Sequence, residues 1–344
     1  MSEPTARAEL IEDRGEAAVA DDFFRSRHFL DAEGVTHTLL IRTGTSELAA
    51  PVIVRKIGEG PDRDAISPYG YPGLAPVLGR HLDPLQRPDP VRASDIDPTG
   101  AGSISDAPLE PVEIDFSDVA LVTAFLRHTL GDPPLAGASE RNVVQIADPA
   151  LPAKSRGSDR NQINKNLRRG YEIRLVPGPD TTAAERADFL VAYEQTMRRT
   201  GAAERYFFGA EYFDRILSSA QTWLALALGP DGEIAAGSIA ARSDGYLHYY
   251  LSGSADSTLR DSPMKNVVAS LVELSTEQGL PLNLGGGMVR GDRLEEFKRG
   301  FANRELPWHT SEVVCDEAAY ARLSAGRAGS AFFPVYRAQG RGPT

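Results

Sequence analysis

The stretch "TWLALALGPDGEIAAGSIAARSDGYLHYYLS", residues 222–252, decides the fold. Apolar residues fill 222–228, 233–242 and 245–252, and the turn formers GPDG and SDG separate them. Glycine in such short connections supplies the backbone conformation that a tight reversal needs, so the stretch reads as an antiparallel meander. Downstream, Ser262 and Pro263 offer an N-cap and a first-turn proline for a helix over 263–278, which Gly279 ends. A strand over 281–284 then runs directly into Gly285, Gly286 and Gly287. Upstream lie a basic helix near 159–169 that stops at Gly170, a strand over 171–176, and a helix over 183–200. The last carries Phe189, Tyr193 and Met197 at helical spacing on one face.

The first half gives weaker signals. It reads as strands over 36–42 and 48–56, a loop of aromatics and glycines over 64–73, a helix near 119–130 and a strand near 142–147. Two segments stand apart: an acidic N-terminus, 1–22, and an acidic, proline-rich insertion, 83–118. A chain of 344 residues with 41% hydrophobic content suits two domains, and the expected division is 23–150 and 151–337, with a tail over 338–344.

Composition excludes several classes. The longest apolar runs are too short to span a bilayer, the N-terminus has no secretory h-region, and a lone cysteine, Cys315, fits a reducing cytoplasm. HExxH, P-loop and GxSxG motifs are absent, and no cofactor or metal is implied. Net charge is −11, yet removing 1–22 and 83–118 leaves the remainder at +1. Against that neutral background, residues 154–174 hold seven Lys/Arg and two acids, with Lys165, Arg168 and Arg169 on one face of the basic helix. Such a face is either simply solvated or a phosphate contact.

The segment 283–301, "NLGGGMVRGDRLEEFKRGF", raises a sharper question. Asp292 reads as a helix cap with Glu295 three residues on, a capping-box pattern, and Leu294, Phe297 and Phe301 then form an apolar stripe. Lys298 falls on the edge of that stripe. It is either a snorkelling lysine whose stem covers apolar surface, with Glu295 as a possible partner, or a positioned cation beside the glycine loop. His248 and Tyr250 share a strand face, either as hydrogen-bonded aromatic core or as substrate contacts.

The order meander, helix, strand is that of the GNAT acyltransferase core. Acetyl-CoA-dependent members wrap the pyrophosphate with a Q/R-x-x-G-x-G/A loop, and 252–266, "SGSADSTLRDSPMKN", lacks it. Seven pieces in order carry a more specific resemblance: "DAISPYGYPG", "KSRGSDRNQINKNLRRGYEI", "YFFGAEYF", "YLHYYLSGSADSTLRDSP", "LGGG", "DRLEEFKRGF" and "FFPVYR". Together they resemble the Fem family of aminoacyl-tRNA-dependent peptidyltransferases, over about residues 20–337.

That resemblance implies a mixed α/β fold of two tandem GNAT-like domains, each a mostly antiparallel sheet flanked by helices. It matches Phe297 and Lys298 to the family's catalytic Phe-Lys pair, and the basic helix with Lys165, Arg168, Arg169 and Arg160 to its tRNA-binding stretch. Substrate contacts are expected from Gly285–Gly287, whose backbone could approach closely, from Tyr250, His248 and Tyr69, and from Arg205 or Tyr206 on the acceptor side. The insertion has no counterpart in the family's cell-wall ligases. "RHFLDAEG", 27–34, does not reproduce their muropeptide-holding positions either. The expectation is therefore an aminoacyltransferase that moves an aminoacyl group from aminoacyl-tRNA to the amine of a small molecule or peptide. Natural-product (antibiotic) biosynthesis is favoured over peptidoglycan cross-bridges, and the rival is a CoA-dependent N-acyltransferase.

Overall fold

The computed structural model describes residues 6–43, 47–77, 114–132, 134–327 and 332–338. The chain forms two compact units. The first is built from the described parts of 1–20, 33–141 and 308–344, and the second from 21–32 and 142–307. This division departs from the expected one at both ends. Residues 21–32 join the second unit because Phe23, Phe24, Phe29 and Leu30, all fully buried, need a hydrophobic surface that this unit supplies. The chain after Pro307 returns to the first unit as a sheet strand.

The first unit holds β1 (Ala6–Ile11), β2 (His37–Thr43), β3 (Glu47–Lys56), β4 (Arg63–Ile66) and β5 (Ala75–Pro76). It continues with β6 (Ile114–Asp115) and β7 (Thr123–Arg127), and closes with β14 (Arg304–Val314), through its C-terminal half, and helix α7 (Glu317–Ser324). Its strands lie in the order β6-β1-β2-β3-β4-β7-β14, antiparallel except for the β1–β6 and β4–β7 pairs.

Two expectations are corrected here. The N-terminal segment is not merely an acidic edge: β1 pairs with β2 from Ala6↔Thr43 to Ile11↔Thr38, and Ala6 and Ala8 face the core while Arg7 and Glu9 face out. The helix expected near 119–130 is strand β7, where Ala124 and Leu126 are fully buried and Phe125 and Arg127 half-buried. Short apolar runs do not reveal their period, and here burial has period two. Most of the insertion 83–118 lies outside the described residues; its end supplies β6. Of the tail, only Ala338 is described.

The second unit follows the meander reading closely. It contains α1 (Arg27–Ala32), β8 (Ser139–Ala147), α2 (Gly157–Arg168), β9 (Glu172–Pro177), α3 (Ala183–Thr200) and α4 (Ala210–Leu217). Then come β10 (Thr222–Leu228), β11 (Ile234–Ser243), β12 (Tyr246–Ser254), α5 (Met264–Gln278), β13 (Leu282–Gly285) and α6 (Arg293–Arg299). The sheet order is β8-β13-β12-β11-β10-β9. Only β12 and β13 are parallel, registered at Leu247↔Leu282 and His248↔Asn283. Helix α5 buries Val267, Val268, Leu271 and Leu274 against one face of the sheet, where Phe301 also packs. Helices α3 and α4 cover the other through Phe189, Phe213 and Ile216. A β-bulge at Ile239/Ala240 leaves Tyr250 as the extra residue of β12, re-aiming the side chains around it. Ser262 does not cap α5: it sits in the left-handed region (φ 49°), and Pro263 is the N-cap.

Candidate active site around Lys298

The site is built where β13 ends. Its glycine loop leads into α6, and Asp292 organises the turn. One carboxylate oxygen accepts from the N–H groups of Met288 (2.7 Å) and Val289 (3.1 Å), the other from Glu295 N–H (2.8 Å). These donors stabilise the ionised form and hold the Asp292 pKa below the usual carboxylate range. Asp292 is therefore a cap rather than a base. Glu295 completes a variant of the capping box, accepting from the N–H of Gly291 (2.8 Å) rather than from that of the cap residue.

This capping turns the helix away from the expected stripe. Glu295 and Lys298 form its buried face, 2% and 7% exposed, while Leu294 is 42% exposed. Glu295 pairs with Arg299, not with Lys298. Phe297 is half-buried, packed edge-on against Phe301 (5.7 Å between ring centroids), and joins the core under α5.

A snorkelling lysine keeps its head in water; Lys298 does not. Among the described residues its ammonium makes one hydrogen bond, to the carbonyl of Gly286 (2.7 Å), and no ion pair. The Tyr249 ring lies 5.9 Å from Nζ. Burial pushes the Lys298 pKa down to about 8, and the charge of Asp292 only partly opposes the shift. At neutral pH the group is still mostly an ammonium, with donor capacity beyond its one bond.

The glycines answer to packing. A Cβ on Gly286 would sit 2.4 Å from the Asn142 side-chain nitrogen, and one on Gly287 would sit 2.4 Å from an Asp292 oxygen. Gly285 has φ 75°, and its N–H is already taken by the Asn283 side chain (2.8 Å). Close substrate approach is not needed to explain them. Sequence reading missed Asn142, Tyr249 and the Gly286 carbonyl; nothing in "RNVVQIA" distinguishes that asparagine from any strand-edge residue.

The other expected residues lie in several places. His248 is buried structural core: its Nδ1 accepts from the Asn283 amide (3.1 Å), so the Nε2–H donates to Ser243 O (3.2 Å). Burial lowers its pKa to about 4, which keeps the ring neutral. The face that His248 shares with Tyr250 is covered by residues 21–32, with Phe24 edge-on to both rings at 5.0 and 5.5 Å. Tyr250 also shares a hydrogen bond with the Tyr212 hydroxyl (2.7 Å). Arg205 stacks over Tyr206 at 4.9 Å on the short helical turn Glu204–Tyr206. Tyr69 belongs to the first unit, where its N–H bonds Glu33 (2.8 Å) and Arg127 lies 5.9 Å from its ring.

The basic helix is real, and it adjoins α6. Arg156, its N-cap, donates to the Glu296 carbonyl (3.1 Å), and a Cβ on Gly300 would come within 2.8 Å of Asp159. Lys165 and Arg168 are exposed, with no side-chain partner among the described residues. Arg169 is held by Asp261 (2.5 Å) and Arg160 by the Ser155 carbonyl (2.5 Å). At 1.5 Å per residue the free cations begin about 14 Å along the helix from Arg156.

Helix α2 also closes the start of α5. Its Gln162 and Asn166 donate to the Asp261 carbonyl (3.0 and 2.8 Å), Asn166 donates to Asn266 (2.8 Å), and Asp159 pairs with Lys265 (2.8 Å). Tyr171 donates to the Asp261 carboxylate (2.9 Å). The start of α5 is thus covered by α2, whose side-chain amides hold the Asp261 carbonyl, and the two carboxylates there are each held by a cation, Asp159 by Lys265 and Asp261 by Arg169.

Comparison with known proteins agrees with this architecture. Residues 153–299 match the family described as acetyltransferase (GNAT) domain, a span that opens just before α2 and closes one residue after Lys298. The crystal structure of FemX is similar over 83% of this chain and 89% of that one, at 9% identity and a TM-score of 0.52. The C-terminal domain of a putative lysylphosphatidylglycerol synthetase from Agrobacterium fabrum is similar over 87% and 89%, at 17% identity and a TM-score of 0.52. These likenesses speak to fold alone. No curated protein matches the sequence. No helix among the described residues is long and apolar enough to cross a membrane. The fold is of the GNAT type, and residues 153–299 are similar to GNAT acetyltransferase domains.

Proposed function

We propose that this protein is a cytoplasmic, Fem-like aminoacyltransferase that takes its acyl group from aminoacyl-tRNA and delivers it to the amine of a small molecule or peptide, in natural-product biosynthesis rather than cell-wall cross-bridging. One observation carries the reading: the Lys298 ammonium is buried and, among the described residues, unpaired and held by a single hydrogen bond. Methionine or leucine would fill that space without the penalty of desolvating a charge, so a lysine there argues for a use.

In the reaction the acceptor nitrogen attacks the ester carbonyl. A C–N bond forms as the C–O bond to the terminal ribose breaks, and the amine's proton leaves with the ribose oxygen as a hydroxyl. The ester is already activated, so the protein's task is positioning and charge stabilisation. Lys298 would offset the developing oxyanion or the terminal phosphate, and Lys165 and Arg168 would engage phosphates further along the RNA.

The match of 153–299 to acetyltransferases favours a second reading, a CoA-dependent N-acyltransferase. The packing of Gln162 and Asn166 of α2 over the start of α5, where a pyrophosphate would have to enter, weighs against it. Incubation with charged total tRNA and a cell extract, with and without ribonuclease, separates the two. Ribonuclease abolishes amide formation if RNA carries the acyl group and leaves it intact if a thioester does.

A further inference from the structure

We propose that Asn142 is a positioning residue for the Lys298 ammonium, acting through the backbone of Gly286 and Gly287. The inference rests on the reading of Lys298 as the reacting cation. Asn142 opens the inward run of β8, and both ends of its amide are fixed. Its side-chain nitrogen donates to the Gly287 carbonyl (2.9 Å), and its oxygen accepts from the Val143 N–H (2.8 Å). The amide plane lies flat on Gly286: a Cβ there would be 2.4, 2.6 and 2.7 Å from Nδ2, Cγ and Oδ1.

Asp292 grips the other side of the same loop through Met288 and Val289. The loop is therefore clamped at Gly287 by Asn142 and at Met288 and Val289 by Asp292, and the carbonyl immediately before that clamped stretch is the one that holds Lys298. A long lysine side chain has many rotamers, and burial alone would not choose among them. Asn142 fixes the carbonyl, and the carbonyl fixes the ammonium. Misplacing a reacting group by about 1 Å can cost 10²-fold in rate.

The test is a double-mutant cycle with two readouts. Gly286→Ala drives a methyl group into the amide, Asn142→Ala removes the amide, and the pair together relieves the clash. Transfer from charged tRNA should fall about tenfold in kcat for Asn142→Ala, with KM for the tRNA within twofold, since the basic helix is untouched. Gly286→Ala alone should fall further, and the double variant should recover to the Asn142→Ala level rather than multiply the losses. The second readout needs no activity: NMR titration of isotope-labelled lysine follows the Lys298 amine directly. The charged or titratable groups that face it are Asp292 and Tyr249, the latter through its ring while its hydroxyl donates to Ser252, and both are left in place. Opening the loop admits water, so the Lys298 titration should move from near 8 in the parent toward that of an ordinary lysine. An unmoved titration in both single variants would overturn the proposal, as would additive losses in the cycle. A moved titration would uphold the clamp even where Lys298→Met left transfer intact, in which case only the reading of Lys298 as reacting group would fall.

Discussion

Lys298 is charged at neutral pH in a place that disfavours charge, and that has a measurable sign. Its pKa is about 8 in the fold against 10.5 in the unfolded chain, so the unfolded state binds more protons through that interval. Stability therefore rises with pH from about 8 to 10.5; the penalty is about 3 kcal/mol at pH 7 and about 1 kcal/mol at pH 9.5. Lys298→Met removes it and gives up one hydrogen bond of about 1 kcal/mol. We expect the variant to be more stable than the parent by about 2 kcal/mol at pH 7 and no more stable at pH 9.5, by urea unfolding at both. Equal gains at the two pH values would mean that the ammonium is hydrated. The sequence put Lys298 on the inward side of its helix, but it could not show Leu294 outside and Glu295 inside. Hydropathy counts a glutamate as solvent-facing. The hydrogen bonds that bury Glu295, to Gly291 and Arg299, depend on a turn that only the fold provides.

The elements of the second unit were legible because their signals are local. Glycines end α3 and α5, turn formers divide β10, β11 and β12, and the 3.6-residue period marks α3. Strand β7 was not, since its burial on one face depends on the strands beside it, β4 and β14. At this scale the basic helix gives a graded prediction. Among the described residues Lys165 and Arg168 have no side-chain partner, whereas Arg169 already has Asp261. Reversing Lys165 and Arg168 to glutamate should weaken tRNA binding and flatten its salt dependence by about one unit of slope per lost phosphate contact. An unchanged slope would make α2 a solvated face. The buried histidines among the described residues, one in each unit, give another. Burial holds His128 and His248 at about 4, below the ordinary 6.5. The unfolded chain protonates first, so stability is lost as pH falls from 6.5 toward 4, by up to about 3 kcal/mol for each. His248→Gln should flatten that acid limb in a denaturant series; a limb of unchanged steepness would show that His248 charges in the native state.

At the scale of the whole chain, the proposed function asks an acidic protein to hold RNA, and the distribution of charge matters more than its sum. Outside two acidic segments the remainder carries +1, and the basic stretch 154–174, which holds seven Lys/Arg and two acids, includes α2 and adjoins the helix that holds Lys298. Helix α2 packs Gln162 and Asn166 over the start of α5, so acetyl-CoA should give no tight 1:1 complex by calorimetry; a tight one would restore the CoA reading. The central claim is that Lys298 serves acyl transfer from RNA. It is tested most directly by following a radiolabelled aminoacyl group from charged total tRNA into amide product, in parent and Lys298→Met protein, with and without ribonuclease. The account predicts ribonuclease-sensitive transfer by the parent and a loss of about 10²-fold or more in a fully folded variant, the scale of losing one positioned donor. A folded Lys298→Met protein that transfers at the parent's rate, or product that survives ribonuclease, would contradict it.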